Sequence, residues 1–95
     1  MKFLTLWELF SEKMPVDAEA FPRALRGLAQ RVKQDIDGGK LREFGVFTEG
    51  GKGYMIAESS AKDLYATLLF YRRYSKLTVH SFISLEEVAD TLEEA

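Results

Sequence analysis

The sequence predicts an α+β domain in which a four-stranded antiparallel sheet carries two long helices on one of its faces. Three observations lead to this fold. The chain has 95 residues, which is the length of one domain. Its apolar residues switch between strand-like and helix-like spacing. The resulting order is β-α-β-β-α-β plus a short terminal helix, and this split βαβ order is typical of a ferredoxin-like sheet.

The first strand is predicted over residues 2–10, and both of its alternating sets of side chains are largely apolar. A half-exposed strand alternates apolar with polar residues, so this strand needs cover on both faces. In the ferredoxin-like order it is central, and both long helices lie on one face. Its second face is therefore expected to meet another subunit, because large exposed apolar patches are interaction sites.

A loop over residues 11–15 and an N-cap at Asp17 are predicted to precede the first helix. The helix is indicated by apolar residues that recur at spacings of four, three, four and four. These residues are Phe21, Leu25, Leu28, Val32 and Ile36. Glycines directly after Asp37 are predicted to end the helix.

The second and third strands are predicted over residues 41–49 and 52–58, joined by a two-residue turn at Gly50 and Gly51. Within this hairpin, Gly45 and Gly53 indicate bulges or close backbone approach. Glycine suits the turn because it tolerates positive φ at both central positions. The sequence therefore predicts a β-hairpin between the two long helices.

The second helix is predicted from a capping-box-like start at Ser60 to about Tyr74, with Leu64, Leu68 and Tyr71 on its apolar stripe. A fourth strand follows over residues 77–83. A second capping box, Ser84 to Glu87, then opens a short terminal helix. Its narrow apolar stripe consists of Leu85, Val88, Ala89 and Leu92.

Five segments of the chain resemble muconolactone isomerase in order and spacing. They are Met-Lys-Phe at 1–3, Met-Pro-Val-Asp-Ala at 14–18, Gly-Leu-Ala-Gln-Arg-Val at 27–32, Gly-Tyr-Met-Ile-Ala-Glu-Ser-Ser at 53–60 and Leu-Tyr-Ala-Thr-Leu at 64–68. The resemblance extends over nearly the whole chain up to Ser84. It identifies the chain as a muconolactone-isomerase-like domain of the dimeric α+β barrel superfamily, in which two ferredoxin-like sheets pair into a shared barrel.

One segment departs from the isomerases. They carry a Leu-Pro-Leu-Phe-Pro-Tyr-type stretch after the second helix, whereas residues 68–74 here read Leu-Leu-Phe-Tyr-Arg-Arg-Tyr. The chain thus has two arginines and no proline at this point. If the segment shapes the mouth of the pocket, the substrate differs from that of the isomerases.

Two residues are the candidates for acid–base catalysis. His80, the one histidine, has an ordinary pKa near neutrality and interrupts a strand inside the expected barrel. Glu8 interrupts the apolar first strand, where apolar walls can raise a carboxyl pKa. The alternatives are a histidine between solvent and a subunit interface, and a glutamate at a strand end facing water.

Four residues are the candidates for ligand binding. Trp7, Tyr54 and Tyr74 are expected to line an aromatic pocket for a flat small molecule, with Tyr71 assigned to the core instead. Arg72, in a basic cluster at the end of the second helix, is placed to hold a substrate carboxylate. The alternatives are aromatic side chains that fill the core, and cations that stabilise the helix C-terminus.

Composition limits the functional classes. The chain has no cysteine and no histidine–carboxylate cluster with ligand spacing, so no metal site and no cofactor are expected. A formal charge of −2 gives no pull toward nucleic acid or membrane, and a sheet that binds RNA would need a basic aromatic motif. No leader peptide or membrane span is indicated, so a cytoplasmic location is expected.

The resemblance then implies a homodimer, or a higher even oligomer, that binds or isomerises a small apolar or aromatic acid or lactone by proton transfer in a barrel pocket. The alternative function is a non-catalytic dimerisation or sensing module.

Overall fold

The computed structural model of the protein describes residues 1–13 and 20–94. Its elements follow the predicted order. They are β1 at Lys2–Leu9, α1 at Ala20–Asp37, β2 at Glu43–Val46, β3 at Lys52–Glu58, α2 at Ala61–Tyr71, β4 at Ser75–Phe82 and α3 at Leu85–Glu94. A 3-10 turn at Ser11–Lys13 stands where a loop was predicted. The predicted N-cap Asp17 lies outside the described residues.

The four strands form one antiparallel sheet in the order β2-β3-β1-β4. The first and third strands are therefore central, as predicted, and the α+β arrangement is compatible with a ferredoxin-like fold. Trp7 lies opposite Gly53 and Leu77, and Leu4 lies opposite Ile56. Successive side chains of a strand point to opposite faces. We call the face that carries Trp7 the helix-side face and the face that carries Leu4 the open face.

The hydrophobic core lies between the helix-side face and the helices α1 and α2. Among the described residues, its buried apolar side chains are Phe3, Trp7, Val32, Leu41, Met55, Ala57, Leu64, Leu68 and Tyr71. The prediction that Tyr71 belongs to the core with Leu64 and Leu68 is confirmed. Burying one such side chain stabilises the fold by about 1.5–3 kcal/mol. This core covers the helix-side face of the sheet and does not extend to the open face.

The β2 strand is shorter than predicted, spanning Glu43–Val46 rather than residues 41–49. Leu41 precedes β2 and is buried in the core, with 1% of its surface exposed. The backbone N–H groups of Lys40 and Leu41 donate to the carbonyl of Asp35 over 2.8 and 3.1 Å. These two bonds turn the chain inward at the end of α1, which is why Leu41 points into the core.

The β2–β3 connection has five residues, 47–51, so the predicted two-residue turn is wrong. The N–H of Phe47 donates to the carbonyl of Lys52 over 2.8 Å, which closes the loop over residues 48–51. The N–H of Gly50 donates back to the carbonyl of Phe47 over 2.8 Å. Gly50 and Gly51 have φ of 78° and 77°, as predicted, a conformation that glycine adopts without steric cost.

Two boundaries near α2 and β4 also differ from the prediction. α2 ends at Tyr71 rather than about Tyr74, and β4 spans Ser75–Phe82 rather than residues 77–83. Pairing with β1 accounts for the early start of β4, because Ser75 lies opposite Leu9. The N–H of Phe10 also donates to the carbonyl of Tyr74 over 2.8 Å, which extends the ladder by one step.

Both predicted helix starts carry the serine cap, and the one at Ser84 has the full reciprocal capping box. The hydroxyl of Ser60 accepts the N–H of Asp63 over 3.1 Å at the start of α2. At the start of α3, the Ser84 hydroxyl accepts the N–H of Glu87 over 3.1 Å, and the Ser84 N–H donates to the Glu87 carboxylate over 3.2 Å. Such reciprocal bonds satisfy backbone donors that a helix leaves unpaired.

The open face is not covered by α1 or α2. Leu6 at its centre is 37% exposed and Phe82 on β4 is 38% exposed, whereas Trp7 on the helix-side face is 7% exposed. The prediction of an apolar strand with one uncovered face is confirmed. None of the described helices is both long and apolar enough to cross a membrane.

Candidate functional site

A cavity of about 490 Å³ lies between α1 and the helix-side face, at the end of the sheet near the β2–β3 hairpin. Its walls are mostly apolar and aromatic, and they include Trp7, Leu28, Val32, Phe44, Tyr71 and Tyr74. This volume falls within the range of about 300–1,000 Å³ that is usual for small-molecule sites. We call it the helix-side cavity. It is the candidate ligand site.

Trp7 forms the rigid wall of this cavity. Its ring stacks on Phe44 with centroids 5.3 Å apart and planes 11° apart, and its indole N–H donates to the carbonyl of Tyr54 over 3.3 Å. The opposing residue on β3 is Gly53, where a Cβ would come within 2.6 Å of the Trp7 ring. The glycine therefore lets the ring lie against the neighbouring strand. The prediction of close approach at Gly53 is confirmed.

A buried polar cluster supports one side of the cavity. Asp35 on α1 is 3% exposed, and it accepts the phenol hydrogen of Tyr71 over 2.6 Å and the Nε–H of Arg31 over 3.3 Å. Burial first, and the bond to Asp35 second, raise the pKa of Tyr71 well above its ordinary value. Tyr71 therefore stays protonated, and its hydrogen is committed to Asp35.

Aromatic contacts extend this cluster toward the other predicted pocket residue. The guanidinium of Arg31 lies 4.5 Å from the centroid of the Phe70 ring. Phe70 in turn contacts Tyr71 edge-on at 5.3 Å and Tyr74 at 5.4 Å between centroids. Such pairs contribute about 0.5–1.5 kcal/mol beyond their buried area. They hold Tyr74 at the cavity wall although it lies beyond the end of α2.

The four predicted ligand-binding residues divide into two groups. Trp7 and Tyr74 both line the helix-side cavity. Tyr54 lies on the open face, where its ring covers Gly45 and a Cβ on that glycine would come within 2.6 Å of the ring. Arg72 is exposed, with its guanidinium 5.6 Å from the ring centroid of Tyr65. The structure thus brings together two of the four residues.

Both predicted catalytic residues are exposed and lie on the open face. His80 is opposite Leu4, and Glu8 lies between Lys52 on β3 and Lys76 on β4. The four-residue offset along β1 separates them by roughly 13 Å. One reacting atom cannot contact both side chains within a single chain. They also lie on the opposite side of the sheet from the helix-side cavity.

Sequence reasoning missed two residues of the site, Phe44 and Asp35. Phe44 is not among the predicted ligand-binding residues, but it is half-buried against Trp7. A signal for Asp35 was present, because it follows Leu28 by seven residues and Val32 by three. Those spacings put its carboxylate on the buried stripe of α1, where a charged group needs a partner.

Within residues 1–13 and 20–94, no three carboxylate or histidine side chains come close enough together to hold a metal ion. Tyr54, on the open face, has a pKa raised chiefly by its hydrogen bond with Glu43. Among the described residues that line the helix-side cavity, Tyr71, Tyr74 and Ser75 carry hydroxyl groups.

Comparison of the sequence with family models and with curated proteins gives no match, so the likeness to muconolactone isomerase stays a prediction.

Proposed function

We propose that the protein binds a flat, mostly apolar small molecule in the helix-side cavity. The observation that carries this proposal is the Trp7–Phe44 stack, which presents a fixed aromatic surface to a cavity of about 490 Å³. A preformed aromatic wall binds a planar ligand without the cost of ordering side chains. An aromatic lactone or acid, the class expected from the resemblance, has this shape.

The charge of the cavity favours a neutral ligand within that class. None of its described lining residues is charged, whereas a bound carboxylate needs a cationic partner such as arginine. Arg72 is exposed, and the Nε–H of Arg31 is engaged by Asp35. A lactone therefore fits better than the corresponding acid. Its polar oxygen is satisfied by a hydroxyl such as that of Tyr74.

Binding is better supported than proton transfer. His80 and Glu8 are on the open face and cannot reach a ligand in the helix-side cavity. Tyr71 already donates its hydrogen to Asp35, and its raised pKa disfavours a phenolate base. Catalysis by His80 or Glu8 would require a ligand held between two sheets. The geometry therefore favours ligand binding without catalysis, which is compatible with the alternative of a non-catalytic dimerisation or sensing module.

We propose a second copy of the chain as the partner. The apolar side chains of the open face include Leu4 and Leu6 on β1, Ile56 on β3 and Phe82 on β4. Leu6 on the central strand and Phe82 at the end of the edge strand β4 are both more than a third exposed, and exposure of such apolar side chains to water is unfavourable. Pairing of two open faces would bury this surface and form the expected dimeric α+β barrel. A cytoplasmic location stays a prediction.

The intrinsic fluorescence of Trp7, the one tryptophan, tests the ligand proposal directly. We expect titration with the neutral aromatic lactone phthalide to change this fluorescence saturably, and benzoate to bind more weakly. Substitution of the cavity-lining Ala29 by Phe fills the space and should abolish the response. The matched change Ala66→Phe, at an exposed position of α2, should preserve it. An equal response in both variants would contradict the proposed site.

A further inference from the structure

The terminal helix α3 has an apolar stripe that no described residue of the chain covers. Leu85, Val88 and Leu92, at helical spacings of three and four, are 84%, 36% and 70% exposed. Among the described residues of α3, none is buried. A helix of ten residues is marginal in water without packing. Contact with another surface is therefore needed to stabilise it.

The first turn of α3 is fixed at the open face. The Lys2 ammonium donates to the Glu87 carboxylate over 2.8 Å, and Lys2 shares its face of β1 with Leu4 and Leu6. The Ser84 cap holds the same carboxylate from the other side. A hollow of about 510 Å³ remains in the angle between α3 and the strand ends. The helix thus starts at the margin of the proposed interface.

The dimensions of the chain exceed those of a compact domain, which fits an α3 that has no buried residue among those described. The radius of gyration is 15.6 Å, whereas a compact domain of this length has about 12 Å. The longest dimension is 57 Å. α3 itself spans about 15 Å, which is more than half the length of about 26 Å expected for an eight-residue strand. It is long enough to reach along a strand of a second copy.

The charges of α3 complement the opposite end of the sheet. α3 carries five carboxylates and no basic residue, at Glu86, Glu87, Asp90, Glu93 and Glu94. The other end of β4 carries an exposed basic cluster, Arg72, Arg73 and Lys76. A twofold axis that lies across the strands between the two open faces brings the end of one β4 to the start of the other. In such a dimer, the acidic α3 of each subunit lies near the basic cluster of the other, which gives two equivalent contacts.

We infer that α3 is an intersubunit arm, and that it binds to a second copy of this chain. Each α3 lies beside the partner's β4, with its leucine stripe against the partner and its carboxylates near the basic cluster at the start of that strand. This inference rests on the proposed pairing of open faces and goes beyond it, because the faces can pair with α3 left free. The arm enlarges the buried interface, and its charge complementarity fixes the relative orientation of the two subunits.

Cross-linking between two single-cysteine chains tests the arm, because the natural sequence has no cysteine. Differently tagged Leu92→Cys and Lys76→Cys chains are mixed and treated with a short bis-maleimide. We expect covalent heterodimers in several-fold higher yield than for Leu92→Cys mixed with Lys62→Cys. Lys62 is also exposed but lies at the start of α2, in the helix layer.

A second measurement separates the arm from the sheet pairing. Sedimentation should give Leu92→Asp a dimer dissociation constant at least about tenfold higher than that of the natural chain, because a charge replaces a buried leucine in the interface. A natural chain that stays monomeric overturns both proposals. A dimer that neither cross-links at Lys76 nor responds to Leu92→Asp overturns the arm alone and leaves the sheet pairing standing.

Discussion

Tyr71 donates its phenol hydrogen to the buried carboxylate of Asp35 over 2.6 Å, which joins the end of α2 to the end of α1. The bond encloses the polar side of the helix-side cavity. The Asp35 carboxylate also accepts a hydrogen bond from Arg31, and the backbone carbonyl of Asp35 anchors the turn that directs Leu41 into the core. The two helices, the cavity wall and the connection to β2 therefore all depend on one residue, Asp35, through its carboxylate and its backbone carbonyl.

Removal of this hydroxyl should destabilise the fold without changing its shape. Tyr71→Phe keeps the ring in the core but leaves the Asp35 carboxylate, 3% exposed, without its shortest hydrogen bond. Loss of one partner from a buried polar group costs about 1–3 kcal/mol. Urea unfolding followed by circular dichroism measures this loss in the free energy of unfolding. Tyr65→Phe, at a site 60% exposed, is the control and should change the free energy of unfolding little.

The two glycines Gly53 and Gly27 should respond in opposite ways to alanine. A Cβ at Gly53 would meet the Trp7 ring at 2.6 Å and also the backbone of β2, so Gly53→Ala is expected to cost about 1–3 kcal/mol or more. A Cβ at Gly27, within α1, meets nothing within 4 Å. Gly27→Ala should stabilise the chain by about 0.4–1 kcal/mol. Thermal unfolding of the two variants measures the change in melting temperature. Equal changes in the two variants would contradict the close packing of Trp7 on β3.

Most of the fold could be predicted from the sequence because its signals are local. The alternation of apolar residues in β1 and the four–three–four stripe of α1 each report on one element. The capping serines Ser60 and Ser84 mark helix starts within three residues. Topology then follows from element order, since the split βαβ arrangement makes the first and third strands central.

The site was predicted less well because it depends on contacts between distant residues. The sequence does not reveal which alternation of β1 faces the helices. It therefore could not decide which of Trp7 and Glu8, whose side chains point to opposite faces, lines a pocket. Leu41 appeared to continue β2 because its inward turn depends on hydrogen bonds to Asp35. The Tyr71–Asp35 bond, across 36 positions, leaves no local pattern beyond a carboxylate on an apolar stripe.

The Lys2–Glu87 pair should make the start of α3 sensitive to acid. The bond to Lys2, and then those to Ser84, lower the pKa of Glu87 to about 2. Because the folded pKa is depressed below the ordinary value of about 4.3, the stabilisation is complete above that value and is lost as the pH falls toward 2. Carbon-detected NMR titration of the Glu87 carboxyl measures this. In Lys2→Met its midpoint should rise toward the ordinary value; an unchanged midpoint would show that Ser84 alone lowers it.

A charge at the centre of the open face should separate the proposed dimer into folded monomers. Leu6 is 37% exposed in the single chain, so Leu6→Asp leaves its side chain hydrated there and should change the monomer fold little. In a paired interface the same carboxylate would lose water without gaining a partner, at a cost of several kcal/mol. Light scattering during gel filtration should give the monomer mass for Leu6→Asp. Leu69→Asp, at a site 50% exposed on α2, should keep the dimer mass. A Leu6→Asp chain that elutes as a dimer at the natural concentration would place the interface elsewhere and leave the open face as a solvated apolar surface.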